Sequence, residues 1–299
     1  MLIKVLGSAA GGGFPQWNCR CPVCQLAWNK DPRVTPRTQS SLAISADGIH
    51  WLLLNASPDL RQQILDNPCL HPRHGSRHSP VSAVIATNGD IDHIAGLLSL
   101  REQQPFDLYA TAETLEQIAA SAVFGVLNPS VVQKHEMALE VPLDIQSGLR
   151  IVPFAVPGKA PLYAEGEKVV IGAETGTTIG LEITCDNSRI YYIPGCAAAA
   201  EKLKHRVAGA DVLFFDGTTY TDDEMVRLGL SQKTAWRMGH LPMSGEAGSM
   251  AAFANVDLKR KIYLHINNTN PVLVDDSSER GMVETAGWEV AHDGMEIAL

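Results

Sequence analysis

Thr87-Asn88-Gly89-Asp90-Ile91-Asp92-His93-Ile94-Ala95-Gly96-Leu97 is the stretch that decides the fold. It leaves the apolar run Ser82–Thr87, which reads as a buried strand, and enters the helical pattern Ile94–Gln103. A strand ending in acid, acid and imidazole just before a helix presents those side chains at the carboxyl end of a sheet. Sites on open α/β sheets form there. A lone Asp90 or Asp92 would read as a helix cap, but two companions weigh against that. Lys261–Ile266 is a second apolar strand ending in an imidazole, in Leu264-His265-Ile266-Asn267-Asn268-Thr269-Asn270-Pro271. Val212–Asp216 is a third, followed by Gly217-Thr218. Three strands delivering metal-competent groups at their carboxyl ends is what a site requires.

Outward from this stretch, short β-branched runs alternate with helical patterns. Strands are expected at Leu2–Gly7, Ser41–Ser45, His50–Asn55, Ser82–Thr87, Asp107–Ala110, Arg150–Val156, Thr178–Thr184, Arg189–Ile193, Val212–Asp216 and Lys261–Ile266. Helices are expected at Asp59–Asp66, Ile94–Gln103, Ala112–Phe124, Ala197–Ala208, Asp222–Leu228 and Gly245–Asn255. The mixture predicts an α/β protein with helices outside sheets. Two similar halves, turning near Arg150, fit one domain over residues 1–299, because no Pro/Ser-rich linker or short-period repeat interrupts the chain. Cys69–Pro80, with three His and two Arg, and the Gly- and Pro-rich Val156–Gly176 carry the weakest pattern.

The 299 residues are 45% hydrophobic and 19% charged, so a sizeable core is available and a disordered chain is excluded. A net charge of −9 and a pI near 5.5 leave no basic stripe for phosphates, and nucleic acid is not an expected partner. No window approaches the roughly 18 apolar residues of a membrane span. Gly7 and Gly11–Gly13 break the apolar start Met1–Leu6 before a signal-peptide core forms. A soluble, cytoplasmic protein without a membrane partner is expected.

Of six cysteines, Cys69, Cys185 and Cys196 are scattered and suit small core hydrophobes. Cys19-Arg20-Cys21-Pro22-Val23-Cys24 brings three thiolates together over short loops, which predicts a tetrahedral, structural zinc. Three free thiols in a loop would be an oxidation liability. The glycines of Gly7-Ser8-Ala9-Ala10-Gly11-Gly12-Gly13 have neither Rossmann spacing nor a following Walker lysine, and predict a close backbone approach near the zinc loop. His71, His74 and His78 are spaced too irregularly for a metal tract and read as part of a mobile loop.

The stretch from Asn88 to His93 resembles the metallo-β-lactamase superfamily, whose signature after a strand is His-x-His-x-Asp-His. Asn88, Asp90, Asp92 and His93 occupy its four places. Asp59, in Leu53-Leu54-Asn55-Ala56-Ser57-Pro58-Asp59, matches the acid after an earlier strand, and His265 matches the late histidine. Gly11–Cys19, Ser57–Arg61, Thr87–Gly96 and His265–Pro271 are similar, over essentially the whole chain, to the B family of pyrroloquinoline quinone (PQQ) biosynthesis proteins. The resemblance implies an α/β, four-layer αββα sandwich.

Departures from the superfamily pattern narrow the chemistry. A dinuclear hydrolase of this fold uses three His for one metal, and Asp, His, His and a bridging Asp for the other. Here the first two His are Asn88 and Asp90. The third, expected around Val156-Pro157-Gly158, is missing, and the bridging acid is replaced by Gly195. Asp92, His93 and His265 survive. Two imidazoles and a carboxylate form the facial triad of non-haem Fe(II) oxygenases, though other divalent metals such as zinc or manganese suit it as well. Loss of the bridging acid removes the anchor for a metal-bridging hydroxide.

The PQQ pathway starts from a ribosomal peptide whose Glu and Tyr are crosslinked, and the tyrosine ring must gain oxygen. The resemblance therefore implies Fe(II)/O2-dependent hydroxylation of that small-molecule precursor, with other PQQ-pathway proteins as partners. A carrier of PQQ or its precursor is the alternative; a hydrolase is disfavoured by Asn88 and Gly195. Asp90 is expected as an extra ligand or proton acceptor. His240, in Met238-Gly239-His240-Leu241-Pro242, resembles the acid–base histidine of hydrolase relatives, with Asp216 where they carry its partnering acid. Arg61, Lys159 and Arg77 are expected in site-facing loops as cations for substrate carboxylates. A phosphonate-degrading phosphodiesterase branch carries a similar Cys triplet with a histidine as fourth ligand; here that position is Asn268, a poor zinc ligand, so a non-local His or Asp, or a water, is the expected fourth partner.

Overall fold

In the computed structural model, which describes residues 1–145, 148–165 and 170–299, the apolar runs become two seven-stranded sheets. β1 (Leu2–Gly7), β2 (Ser41–Ser45), β3 (Trp51–Leu54), β4 (Val81–Ile85), β5 (Phe106–Ala110) and β6 (Val132–Glu136) lie in that order in the first. β7 (Leu143–Ile145), β8 (Leu149–Gly158), β9 (Ala173–Cys185), β10 (Ser188–Ile193), β11 (Ala210–Asp216), β12 (Leu258–Leu264) and β13 (Trp288–Val290) form the second. β14 (Glu296–Ala298) returns to pair antiparallel with β1. Each sheet runs antiparallel through its first strands and parallel afterwards, from β3 in one and β10 in the other. The halves are alike, and they change over between β6 and β7, earlier than Arg150, which lies inside β8.

Both faces of each sheet are buried, which explains runs that are continuously apolar instead of alternating. Ile190 and Tyr192 of β10 and Val212 and Phe214 of β11 meet Leu42, Ile44 and Ile85 of the first sheet in a shared core. The intervening Tyr191, Ile193, Leu213 and Phe215 face a second core on the outside of their sheet. Ala43, Leu53 and Val84 face a third, on the outside of the first sheet. Helices cover the outer faces, giving the αββα layering: α1 (Pro22–Trp28), α2 (Leu60–Asp66), α3 (Ile91–Ile94), α4 (Ala112–Ala120), α5 (Glu201–Val207), α6 (Glu224–Arg227), α7 (Ala235–Met238), α8 (Ser249–Ala252) and α9 (Ser278–Thr285).

Several expected elements are shorter or longer than their patterns. The helix expected at Ile94–Gln103 is α3 followed by a 3-10 segment, Ala95–Leu100, because backbone bonds to the loop after β3 divert its polar groups. Ala197–Ala200 stay out of α5, since Ala197 N donates to Pro157 O of β8 at 2.7 Å. The Gly- and Pro-rich Val156–Gly176 contains the end of β8 and the start of β9, which pair across a register shift at Ala155/Pro157 that accommodates the proline. Residues 166–169 of that stretch lie outside the described residues. The short edge strands β6, β7, β13 and β14, and helices α1, α7 and α9, escaped the sequence patterns. No described helix is long and apolar enough to cross a membrane.

Candidate metal centre

The carboxyl ends of the parallel strands open on a cavity of about 360 Å³ lined by Asn88, Asp90, Asp92, His93, Lys159, Gly195, His240 and His265, among others. β4 leads into Asn88–His93, β10 into Gly195, β11 ends on Asp216, and His265 follows β12. Both sheets thus supply the site, and each supplier is a strand whose apolar body is anchored in the core.

His93 is held by its backbone. Ala56 N donates to His93 O at 2.7 Å, and Gly96 N donates to Ala56 O at 2.8 Å. Gly96 lies so near Ser57 that no Cβ fits there. His265 adopts φ 56°, a left-handed conformation that costs a side-chain-bearing residue of order 1 kcal/mol or more. Its neighbours impose it: Ile266 N donates to Ser8 O (3.0 Å), Ala10 N to Ile266 O (2.9 Å) and Asn267 N to Thr218 O (2.9 Å). The glycine-rich stretch therefore closes over the cavity; a Cβ on Gly11 would touch Asp92 Cγ at 3.4 Å. Asp59 stays outside the cavity. Its Oδ2 accepts from Gln39 N (2.9 Å) and Nε2 (3.0 Å), while Gln39 Oε1 accepts from Gly12 N (3.0 Å), so it steadies that same stretch.

Asp92, His93 and His265 meet inside the cavity. Asp92 Oδ2 is 3.0 Å from His265 Nε2 and 3.7 Å from His93 Nε2, and one donor atom from each of the three lies within 4.8 Å of the others. His93 is 2% exposed, yet among the described residues its Nε2 has no hydrogen-bond partner. A buried, unpartnered nitrogen costs about 1–3 kcal/mol. An ion held between the three groups would satisfy it, and a two-imidazole, one-carboxylate donor set suits iron, zinc or manganese. The residues present fit a metal ion.

Burial pushes His93 down to about 4, which leaves it neutral and able to ligate. Burial also opposes ionisation of Asp92, but His93 and the hydrogen bond with His265 outweigh it and hold its carboxyl below the usual range. Burial likewise opposes a charge on His265, and the Asp92 contact reverses this, raising its pKa. A bound ion would take the place of the His265 Nε2 proton.

Thr218 decides the tautomers. Its Oγ1 lies 2.7 Å from Asp216 Oδ1, 2.9 Å from His265 Nδ1 and 3.1 Å from His240 Nδ1, while His240 Nδ1 is 2.7 Å from Asp216 Oδ2. The ionised carboxylate and the His265 carbonyl, 3.1 Å from the hydroxyl, only accept; the carboxylate is charged and nearer, so the single hydroxyl proton goes to Asp216 and His240 Nδ1–H donates to the other oxygen. Thr218 Oγ1 is then left to accept from His265 Nδ1–H. These protons are assigned by counting donors, and the count directs Nε2 of His265 toward the ligand role. Asp216 is fully buried; burial would raise its pKa, but His240 beside it prevails and lowers it. The His240 ring stacks on His265 with centroids 5.3 Å apart.

The other half of a dinuclear site is not assembled. Asn88 Nδ2 donates to Asp90 Oδ2 (2.9 Å) and Asp90 N to Asn88 Oδ1 (3.0 Å), so these two satisfy each other. Burial and the charge of Asp92 push Asp90 up to about 6. Gly195 lines the cavity with no side chain, and Thr178 crowds Gly158 too closely for any. Of the three expected cations only Lys159 lines the cavity. Arg61 is exposed on α2, and Arg77, with its side chain 73% exposed, pairs at 3.9 Å with Glu102. The sequence reading misplaced both because an exposed arginine looks the same whether it stands on a helix, as Arg61 does, or in a loop, as Arg77 does. It also passed over Lys233 and Asn267 in the cavity wall, and Thr218, quoted only as the residue after Asp216-Gly217.

The sulfurs of Cys19, Cys21 and Cys24 form a second cluster, all buried and within 4.8 Å of one another. Cys21 is the N-cap of α1, its Sγ accepting from Cys24 N at 3.4 Å, and Pro22 at the first helical position is the signal that α1 begins there. The Cys21 hydrogen bond pulls the Cys24 thiol down, and Cys21 itself is pushed up, first by that bond and then by burial. Asn268 closes the open side: its Nδ2 lies 3.3 Å from Cys24 Sγ, and its backbone O 3.7 and 3.8 Å from the Cys21 and Cys24 sulfurs. Cys185 and Cys196 are buried in the cores, and Cys69 packs against one.

Residues 50–266 match the family model described as a β-lactamase superfamily domain. Coenzyme PQQ synthesis protein B of Methylobacterium nodulans is 58% identical over 295 residues, covering 99% of each chain. The crystal structure of Zn2+-bound PqqB from Methylobacterium extorquens superposes with a TM-score of 0.99 at 56% identity, covering 100% of both chains. A diphosphatase of the PhnP family shares the fold, with a TM-score of 0.70 at 20% identity over 100% of this chain and 97% of that one. The chain belongs to the coenzyme PQQ synthesis protein B family, on the metallo-β-lactamase fold.

Proposed function

We propose that this chain acts in PQQ biosynthesis as a non-haem Fe(II)- and O2-dependent hydroxylase of the tyrosine-derived ring of the crosslinked Glu–Tyr precursor. The observation that carries it is the ligand set Asp92, His93 and His265: Asp92 and His265 meet at 3.0 Å beside the Nε2 of buried His93, which has no partner among the described residues, whereas Asn88 and Asp90 are bonded to each other and the nearby Asp216 is taken up by His240 and Thr218. One ion with open positions suits oxygen chemistry better than a bridged pair suits hydrolysis. Iron, when bound, supplies the activation of dioxygen. Asp92, His93 and His265 hold it, and Thr218 keeps His265 in the ligating tautomer. His240, with Nδ1–H committed to Asp216, retains Nε2 as a base for a phenolic proton. Asp90 in the wall is a second carboxylate able to take or return a proton.

In this proposal Cys19, Cys21 and Cys24 hold a structural zinc, with a water or a non-local His or Asp as the fourth ligand, since the Asn268 amide nitrogen donates a hydrogen bond to Cys24 Sγ and has no lone pair for a metal. The six free cysteines suit a reducing cytoplasm, and both sheets act together as one domain. The substrate is the small precursor, delivered by other proteins of the pathway.

The test is anaerobic Fe(II) reconstitution, then O2 consumption and mass measurement with a crosslinked Glu–Tyr substrate. Each insertion turns an aryl C–H into C–OH and uses two further electrons, supplied as ascorbate. A gain of oxygen mass that vanishes in His93→Ala and His265→Ala is expected. Tight binding with no mass change under any metal overturns the hydroxylase and leaves the carrier. Enzyme-like cleavage of a generic phosphodiester would revive the hydrolase.

A further inference from the structure

Among the described residues, the wall of the metal cavity carries two lysines, Lys159 and Lys233, in a chain of net charge −9. Lys159 is committed. Its Nζ lies 3.1 Å from Glu165 Oε1 and donates to Ala160 O at 3.0 Å, and its side chain is only 13% exposed. Its stem lies against Gly239, at φ 91°, where a Cβ would come within 3.1 Å of Lys159 Cγ. Glu165 is shared with Arg237 at 3.2 Å, so this cluster of two cations and one acid keeps a single positive charge.

Lys233 differs in its pairing. It sits in the loop between α6 and α7, half-buried in the cavity wall, and among the described residues its ammonium has no ion-pair partner. Its backbone is fixed on both sides: Lys233 N donates to Ser231 Oγ at 3.0 Å, and the next residue, Thr234, caps α7. A cation on a cavity wall, with no ion-pair partner among the described residues, offers an incoming anion an attraction that is screened less than at a free surface. The acids of the same cavity do not serve it. Asp90 is bonded to Asn88, and Asp92 to His265.

We propose that Lys233 is the carboxylate-receiving residue of this cavity. The Lys159–Glu165–Arg237 cluster supplies a positive field beside it, and the ligand is an organic carboxylate whose other end faces Asp92, His93 and His265. A cavity of about 360 Å³ suits a small molecule of this kind. The inference rests on the proposed function for the identity of the reacting end, but its charge requirement stands on Lys233 alone.

The experiment compares two probes, 3-(3,4-dihydroxyphenyl)propionate and its carboxamide, which differ only in the charge at one end. Binding to the full-length, zinc-loaded protein is titrated calorimetrically for wild type, Lys233→Met and Lys233→Arg. Wild type should prefer the carboxylate. Lys233→Met should lose about tenfold or more of that affinity, the worth of one charge-assisted hydrogen bond, while leaving the amide unchanged; Lys233→Arg should keep most of it. Raising the salt should weaken the carboxylate more than the amide in wild type only. Absence of a preference for the carboxylate in wild type, including the case in which neither probe binds, overturns the proposal, as does an equal loss for both probes in Lys233→Met. A retained, lysine-dependent preference in a protein that inserts no oxygen would instead defeat the hydroxylase alone.

Discussion

Cys19, Cys21 and Cys24 reach a common point from six consecutive residues, whereas Asp92 and His265, whose side chains meet at 3.0 Å, are 173 residues apart. Closing the short clip takes little chain entropy, so it needs only α1 to orient two of its sulfurs. The cavity triad exists only once both sheets are packed, because its members arrive on strands of different sheets. An ion in the clip therefore adds to folding, while an ion in the cavity is received by a site that folding has already built. The two centres meet at one segment: Asn267 lines the cavity and Asn268 faces the sulfurs.

The largest effect that separates them is expected from Cys21→Ser. Loss of a buried ligand of a structural ion should lower stability by more than about 4 kcal/mol, with zinc content falling in step. Thermal melts beside elemental analysis check this, and unchanged stability would refute the structural role of the clip. His93→Ala should do the reverse. Metal affinity in the cavity should fall more than about a hundredfold, some 2.7 kcal/mol, with a smaller stability loss than in Cys21→Ser; competition with a chromogenic chelator measures it. If the two variants lose stability equally, the contrast between the centres collapses.

Thr218→Val probes the layer behind the triad. Removing the hydroxyl that accepts from His265 Nδ1 should weaken cavity metal binding by about 10–100-fold, and Thr218→Ser should restore it. An equal loss in the serine variant would mean that packing, not the hydroxyl, is at work. The smallest effect belongs to Arg77→Ala, on a side chain 73% exposed. Stability should stay within about 0.5 kcal/mol and carboxylate binding should not change. A clear loss of binding would place Arg77 at the cavity after all.

Much of the cavity was legible because strand ends carry their own punctuation. The apolar runs before Asp92-His93, Asp216 and His265 are long enough to anchor, and the polar groups follow at once. Thr218 was within view but without a role, since a hydroxyl declares its partners only when three acceptors and donors converge on it. Lys233 had no signal: a lysine between two short helices looks solvated until the cavity wall forms around it. Helix lengths failed for a related reason. Ala56 and Pro157 take backbone bonds from Gly96 and Ala197, and such diversions depend on contacts distant in sequence.

By itself the sequence determined the α/β class and the Cys19–Cys24 clip, and its resemblance to the superfamily pattern implied the three surviving ligand positions and those from which ligands are missing. These are local facts, carried by runs and spacings within a few residues. Only the tertiary structure decided that Asp92, His93 and His265 converge, that Asn88 turns to Asp90, that Thr218 orders the imidazole protons and that Lys233 has no counter-ion among the described residues. Each depends on where two sheets place groups far apart in the chain, and side-chain hydrogen bonds and charges act only across the few ångströms that packing sets.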